Sequence, residues 1–287
     1  MRLVRTIGEA RAVLDEARAA GRSVGLVPTM GYLHAGHRSL MDRSVAERDL
    51  TLVTIFVNPL QFGANEDLSS YPRDLERDAA MCEDAGVDLV LHPTVEEMYP
   101  HGTPTLTTVT VAEISAPMEG AARPTHFAGV ATVVAKLFAI AGECRAYFGE
   151  KDWQQLAVVR RMASDLSFPV DVVGCPTLRE RDGLALSSRN VYLTADERAA
   201  APVLNRALRA GVDAIDRGER DPATVRALMR AMVEAEPLAQ LEYAEVVDAA
   251  TLQEIDPLAG NVRLLAAARF GRGRLIDNEG ATIPAPT

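Results

Sequence analysis

The sequence predicts an α/β protein, with a Rossmann-like parallel sheet domain over residues 1–177 and a smaller C-terminal α+β domain over residues 178–287. Three observations carry this. Short apolar, β-branched runs at 24–27, 50–57, 87–93, 144–148 and 170–173 alternate with segments of helical period, the pattern of parallel strands covered on both faces. Past residue 176 the order changes to helices first and strands after, an α+β arrangement. A chain of 287 residues, 48% of them apolar, also has material for two cores.

The formal net charge of −10 opposes a nucleic-acid partner, because binding a phosphate backbone needs clustered Lys and Arg. A small anionic substrate stays open through a local basic pocket. The N-terminus lacks an apolar signal region, and the longest apolar runs, such as 130–140 with Lys136 inside, are too short to cross a bilayer. A soluble cytoplasmic protein with no membrane partner is therefore expected. Cys82, Cys144 and Cys175 are widely spaced, which argues for buried reduced thiols over disulfides or a zinc site. The basic residues are nearly all arginine, so Lys136 and Lys151 stand out as places where a compact ammonium is used instead of a planar fork.

A first helix over 9–20 sets Ala10, Val13, Leu14 and Ala17 on one face and stops at Gly21. The strand at 24–27 runs into Pro28-Thr29-Met30-Gly31-Tyr32-Leu33-His34-Ala35-Gly36-His37, and a helix bearing Leu40, Met41, Ser44 and Val45 follows. Two histidines thus sit at a strand-to-helix turn. A helix N-terminus offers unpaired N–H groups and the positive end of the macrodipole, so phosphate is favoured there and imidazoles add directed donors. A lone histidine in such a place is ordinarily a solvated polar residue; two framing Ala-Gly behind a Pro-Thr-Met-Gly turn favour the anion site.

The strand at 50–57 ends at Asn58-Pro59-Leu60-Gln61-Phe62. Because open parallel sheets collect ligands at strand C-termini, Asn58 and Gln61 are expected to face the crevice of His34 and His37. A helix around 75–85 leads to the strand at 87–93. Residues 100–104 form a turn, 107–111 read as a strand, and 119–127 as an irregular polar loop whose Arg123 and His126 are solvated or ligand-binding. A helix over 130–140 with Val133, Val134, Leu137 and Ile140 inward precedes the strand at 144–148. That strand opens into Gly149-Glu150-Lys151-Asp152-Trp153-Gln154-Gln155 and a helix carrying Val158, Val159 and Met162.

A hinge is expected over 176–183, followed by a loop at 184–190. Thr194-Ala195-Asp196-Glu197 is a capping-box pattern opening one long helix with Leu204, Leu208, Gly211 and Ile215 inward. Asp221-Pro222 caps another, with Val225, Leu228, Met229, Met232 and Val233 on its inner face. Strands at 241–247 and 262–267 complete the small domain.

The polar residues of these loops are rich in donors. His34, His37, Lys151, Arg189, Ser187 and Ser188 with backbone N–H groups suit a polyphosphate, whereas no Ser-His-Asp or Cys-His set serves acyl transfer. Neither G-x-G-x-x-G nor G-x-x-x-x-G-K-[ST] occurs, so an ordinary dinucleotide dehydrogenase and a P-loop enzyme are both excluded.

A histidine-x-Gly-histidine turn after the first strand with a late Ser-Ser-Arg loop resembles the HxGH nucleotidylyltransferase superfamily. Within it, Pro28-Thr29-Met30-Gly31, Phe56-Val57-Asn58-Pro59, Gln61-Phe62, Tyr71-Pro72-Arg73, Gly149-Glu150-Lys151-Asp152, Gln154-Gln155 and Leu186-Ser187-Ser188-Arg189-Asn190 are similar to the pantothenate synthetase (pantoate–β-alanine ligase) family, and Leu275-Ile276-Asp277-Asn278 also fits. The resemblance implies ATP-dependent condensation of (R)-pantoate with β-alanine through a pantoyl-adenylate, releasing pyrophosphate and AMP, a step of vitamin B5 and coenzyme A biosynthesis. It further implies catalytic roles for His34, His37 and Lys151, with a proton-donor role at His37. ATP would lie along Met30, Gly31, Tyr32, Leu33, His34, Ala35, Gly36 and His37, along Gly149, Glu150, Lys151 and Asp152, and near Leu178 and Leu186. Ser187, Ser188 and Arg189 would close over its phosphates like the mobile KMSKS loop of the class I aminoacyl-tRNA synthetases of the same superfamily, with arginine where that loop has its second lysine.

By the same resemblance, Gln61, Gln155 and Asn58 would bind pantoate, Mg²⁺ would ride on the ATP phosphates with an unassigned carboxylate, and the chain would form a homodimer. Two alternatives remain at this point: an adenylyltransferase that keeps the nucleotide on its product, resting on the histidine turn alone, and a non-catalytic nucleotide-binding protein.

Overall fold

The computed structural model describes residues 1–63 and 68–284. Its internal packing divides the chain into one unit of Met1–Glu150 with Gln155–Pro176 and a second of Lys151–Gln154 with Thr177–Thr287.

The first unit runs β1 (Arg2–Val4), α1 (Ile7–Ala19), β2 (Val24–Thr29), α2 (Ala35–Glu47), β3 (Leu50–Ile55), α3 (Leu75–Asp84), β4 (Leu89–Leu91), α4 (Val95–Met98), α5 (Glu119–Ala122), α6 (His126–Ala141), β5 (Cys144–Gly149), α7 (Trp153–Asp165) and β6 (Val170–Cys175). Its six strands are parallel, in the order β1-β4-β3-β2-β5-β6. From β2 the chain moves one way through β3 and β4, and later the other way through β5 and β6. Strand order therefore reverses between β2 and β5, where open α/β sheets place their ligands.

Burial follows the sequence pattern. All six residues of β3 are buried, as a strand covered on both faces requires. Helix α6 buries thirteen of its sixteen residues, so it is a core helix with no polar face. On one side of the sheet, Val27, Leu33, Leu40, Met41, Val53, Ile55, Val90 and Tyr147 form a continuous apolar cluster. Cys82, Cys144 and Cys175 are free and buried, and burial pushes the Cys82 and Cys144 thiols up to about 12.

Two expectations fail in this unit. Residues 107–111 form no strand; the N–H of Val109 instead donates to Thr132 Oγ1 at 2.9 Å, so a helix side chain takes the place of a ladder. The loop expected at 119–127 is in fact α5 and the start of α6, with the N–H of His126 donating to the Arg123 carbonyl at 3.0 Å. The short strand β1 was not anticipated.

The second unit contains α8 (Ala195–Ala200), α9 (Val203–Asp216), α10 (Pro222–Glu234) and an antiparallel sheet β7 (Gln240–Asp248), β8 (Gly260–Phe270) and β9 (Gly273–Ile283). Its core joins Leu204, Leu208, Ile215, Val225 and Met229 to Val246, Leu264 and Phe270. The Thr194 capping box forms as read, but the helix it opens ends at Ala200. Pro202 has no N–H for the next helical bond, so the chain restarts as α9 at Val203. Asp221 caps α10 as expected, accepting the N–H groups of Ala223 and Thr224 at 2.9 and 3.2 Å. Strand β9 adds an element beyond the two expected. Among the described residues no helix is long and apolar enough to cross a membrane.

Candidate active site

At the end of β2 the chain turns sharply. Gly31 and Tyr32 take φ of +85° and +49°, the left-handed region that glycine enters without strain. The tyrosine is held there by Asp78 at the start of α3, whose two carboxylate oxygens accept the N–H groups of Tyr32 and Leu33, each at 2.7 Å. Burial pushes the Asp78 carboxyl upward, and the Leu33 and Tyr32 donors oppose it. Arg77 donates to the Leu33 carbonyl at 2.9 Å and lies 4.8 Å from the Tyr32 ring centre. These contacts hand the chain to His34 in extended backbone, φ −138° and ψ 177°.

His34 is the N-cap of α2, a place usually taken by Ser, Thr, Asp or Asn. Its Nδ1 accepts the N–H of Gly36 at 3.1 Å, and Nδ1 of His37 accepts the N–H of His34 at 3.3 Å. The ring centres lie 4.1 Å apart with the planes tilted by 41°. With both Nδ1 atoms acting as acceptors, each neutral ring carries its proton on Nε2. The first turn of α2 has no acidic residue, so no carboxylate of that turn offsets the positive end of the helix.

At the end of β3, Asn58 is 1% exposed and engages every hydrogen-bonding site it has. Oδ1 accepts from the Leu60 N–H at 3.3 Å and the Tyr99 hydroxyl at 2.8 Å, while Nδ2 donates to Gln61 Oε1 and the Gly129 carbonyl, both at 3.1 Å. Burial pushes the Tyr99 phenol upward, which keeps it a donor. Gly129 is required here, because a Cβ would run into the Leu60 carbonyl. Asn58 thus holds Gln61 in place. Gln61 Nε2 in turn reaches Met30 Sδ at 3.0 Å, joining the ends of β3 and β2, and its carbonyl accepts from Arg123 Nη2 at 3.2 Å and His126 Nδ1 at 3.0 Å. Gly149 closes β5, Glu150 follows it, and Gln155 is half-buried in the first turn of α7.

In the second unit Lys151, Ser187, Asn190 and Asp277 line one small cavity. Lys151 Nζ lies 3.5 Å from Asp152 Oδ1. Leu186 donates its N–H to the Leu178 carbonyl at 2.9 Å, which closes a short hairpin bridged at Arg179 and Ala185. Ser187 caps a 3₁₀ turn over Ser188–Tyr192, accepting the Arg189 N–H at 3.2 Å, and Asn190 Nδ2 holds the Ala185 carbonyl at 3.1 Å. Ser187, Ser188 and Arg189 therefore sit in a built turn.

Sequence reasoning missed the supports. Asp78, Tyr99 and Gly129 in the first unit, and Arg179, Trp153 and Arg263 in the second, carried no local signal; Asp277 and Asn278 were visible only as part of a motif. Arg179 pairs with Asp277 through both nitrogens at 2.7 and 2.9 Å. Burial pushes the Asp277 carboxyl upward against the pull of that guanidinium. Among the described residues no group of three or more His, Cys, Asp or Glu converges to hold a metal.

The family described as pantoate-beta-alanine ligase matches residues 2–280. A pantothenate synthetase of Roseiflexus sp. (strain RS-1) is 55% identical over 279 residues, 97% of this chain and 98% of that protein. One from Sinorhizobium medicae is 53% identical, with 97% and 95% covered. Among solved structures, pantothenate synthetase from Thermus thermophilus superposes with a TM-score of 0.92 at 50% identity, covering 99% of this chain and 100% of that one. The pantoate-beta-alanine ligase of Francisella tularensis, complexed with beta-gamma ATP and beta-alanine, gives 0.80 at 31% identity, with 97% of each chain covered.

Proposed function

The chain belongs to the pantoate-beta-alanine ligase family, and on that premise we propose how its own residues carry the reaction. The enzyme condenses (R)-pantoate with β-alanine, consuming ATP. In the first half a pantoate carboxylate oxygen attacks the α-phosphorus, the bond to the β-phosphate breaks, and pyrophosphate leaves. In the second the β-alanine amine attacks the acyl carbon of the pantoyl-adenylate, the acyl C–O bond breaks, the amine loses a proton and AMP leaves.

Negative charge grows on the α-phosphate oxygens and the departing pyrophosphate, so donors fixed before reaction stabilise the transition state more than the ground state. His34 and His37 are such donors through Nε2–H, held by the backbone contacts on Nδ1. Lys151 supplies a point charge, and Ser187, Ser188 and Arg189 bind phosphate oxygens, the arginine as a fork. ATP runs along Met30 to His37, Gly149 to Asp152, Leu178 and Leu186. Gln61 and Gln155 orient pantoate without adding a charge that competes for the phosphates, and the saturated Asn58 serves by holding Gln61. Mg²⁺, an ion that ordinarily takes few protein ligands at such sites, would supply charge neutralisation on the ATP phosphates. Exclusion of water protects the mixed anhydride until the amine arrives.

The cytoplasm is the compartment of this reading, in keeping with three buried free thiols. A homodimer is its assembly, to be checked by light scattering. The observation that carries the reading is the pair of imidazoles, each with Nδ1 facing a backbone N–H, at a helix N-terminus without acidic residues in its first turn, beside the sheet's reversal point. Its test is AMP formation, expected only when ATP, pantoate and β-alanine are present together; robust AMP release without either acid would refute it, and a stable adenylylated product would favour a nucleotidyltransferase.

A further inference from the structure

The motif Leu275-Ile276-Asp277-Asn278 has no role in the chemistry above, yet it lies beside the lysine that does. On β9, Leu275, Ala281 and Ile283 join the core shared with α9 and α10. Side chains alternate along a strand, so Asp277 shares their face and Asn278 takes the opposite one. Asn278 is 3% exposed. Its Nδ2 donates to the Lys151 carbonyl at 2.7 Å, and its Oδ1 accepts from Arg263 Nε at 2.7 Å. The Arg263 guanidinium in turn stacks 3.7 Å from the Trp153 ring centre, and Trp153 Nε1 donates to the Ala249 carbonyl at 2.9 Å. Residues 151 and 153 are thereby pinned by one continuous chain of contacts that passes through a single amide.

Asp277 complements this arrangement electrostatically. It lines the same cavity as Lys151 and would compete for the ammonium, but both its oxygens are taken, by Arg179 at 2.7 and 2.9 Å and by the Asn278 N–H at 2.7 Å. The lysine is thus fixed through its backbone while the neighbouring carboxylate is occupied by another cation. An ammonium on a flexible four-carbon stem gains most from such fixing, because its position is otherwise spread over many rotamers.

We propose that Asn278 is a positioning residue for the adenylation step, setting the Lys151 backbone so that the ammonium meets the ATP phosphates. The inference rests on the role given to Lys151 under the proposed function. Asn278 touches none of the three substrates in this account; it acts through Lys151, and Arg263 orients its amide.

The test is a double-mutant cycle in pantoate-dependent ATP–pyrophosphate exchange, with Asn278→Ala and Lys151→Ala made singly and together. Asn278→Ala is expected to lower kcat by roughly 10- to 100-fold, the scale of an ångström-sized misplacement, while the pantoate KM stays within about twofold because no pantoate contact is lost. In the Lys151→Ala background the same substitution is expected to cost less than about threefold. An equal loss in both backgrounds, an unchanged kcat, or a rise confined to pantoate KM would each overturn it. Asn278→Asp, which keeps the acceptor for Arg263 and removes the donor to Lys151, gives a second reading: loss of kcat with an unchanged urea midpoint supports positioning, and wild-type kcat refutes it. Wild-type protein without pantoate-dependent exchange would count against the ligase reading itself, whereas wild-type exchange with an additive cycle counts against Asn278 alone.

Discussion

The backbone N–H of His34 donates to Nδ1 of His37 at 3.3 Å, so the residue that caps helix α2 also sets the tautomer of the residue one turn later. His37→Ala is expected to lose roughly 10²–10³ in turnover, the cost of deleting one preorganised transition-state donor. His37→Gln, whose amide N–H can stand where Nε2–H stood, should retain about tenfold more than alanine, the worth of one hydrogen bond. Exchange rates of the two variants check this, and equal rates would show that the Nε2 donor is not what matters.

Asp78 supports the histidine turn from below by taking two N–H groups at 2.7 Å. Asp78→Asn keeps the size but turns an NH₂ toward one of those donors, leaving a buried group unpaired at a cost of about 1–3 kcal/mol. Urea unfolding should show that loss, and exchange activity should fall with it because Tyr32 and Leu33 lead directly into His34. Wild-type stability would contradict the pairing.

Gln155→Ala should raise the pantoate KM by about three- to tenfold, the value of one neutral hydrogen bond, and leave ATP binding nearly unchanged. Steady-state titration of each substrate separates the two, and an unchanged pantoate KM would remove Gln155 from the pantoate site.

Glu47 ends α2, where a carboxylate is unfavourable against the helix dipole. Its partners reverse that. Arg43 at 2.9 Å, the Tyr147 hydroxyl at 2.9 Å and Arg145 at 3.0 Å hold its carboxyl down at about 2, against an ordinary 4.5. A folded pKa below the unfolded one contributes stability that is full above about 4.5 and lost as pH falls toward 2. Solvent screening of this part-exposed cluster holds the contribution to about 1 kcal/mol. Glu47→Gln should therefore be about 1 kcal/mol less stable at pH 7 and converge with wild type under acid; a gap that is the same at pH 7 and pH 3 would contradict this.

Much of this was legible in the sequence because the signals are local. The run from Leu50 to Ile55 can only be a strand buried on both faces, and the spacing of Val225, Met229 and Val233 shows the inner face of α10. The histidine turn was legible too, since glycines and a helix start lie within a few residues of it. The strand expected at 107–111 fails for a non-local reason. Alternating Thr and Val at 107–111 look like a strand, but a strand exists only where a partner supplies a ladder, and here Thr132 supplies the bond. The supports of the site are equally non-local: Asp78 acts 46 residues from Tyr32, and Arg179 meets Asp277 across 98. Nothing in the residue types of Arg263 or Trp153 announces that they steady Asn278 beside the Lys151 carbonyl.

The most direct test of the central claim is ATP–pyrophosphate exchange with β-alanine omitted, measured with and without pantoate. Formation of a pantoyl-adenylate predicts exchange that requires pantoate and falls by roughly 10²–10³ in Lys151→Ala. Exchange that proceeds without pantoate, or that is absent while AMP still forms from all three substrates, would contradict it.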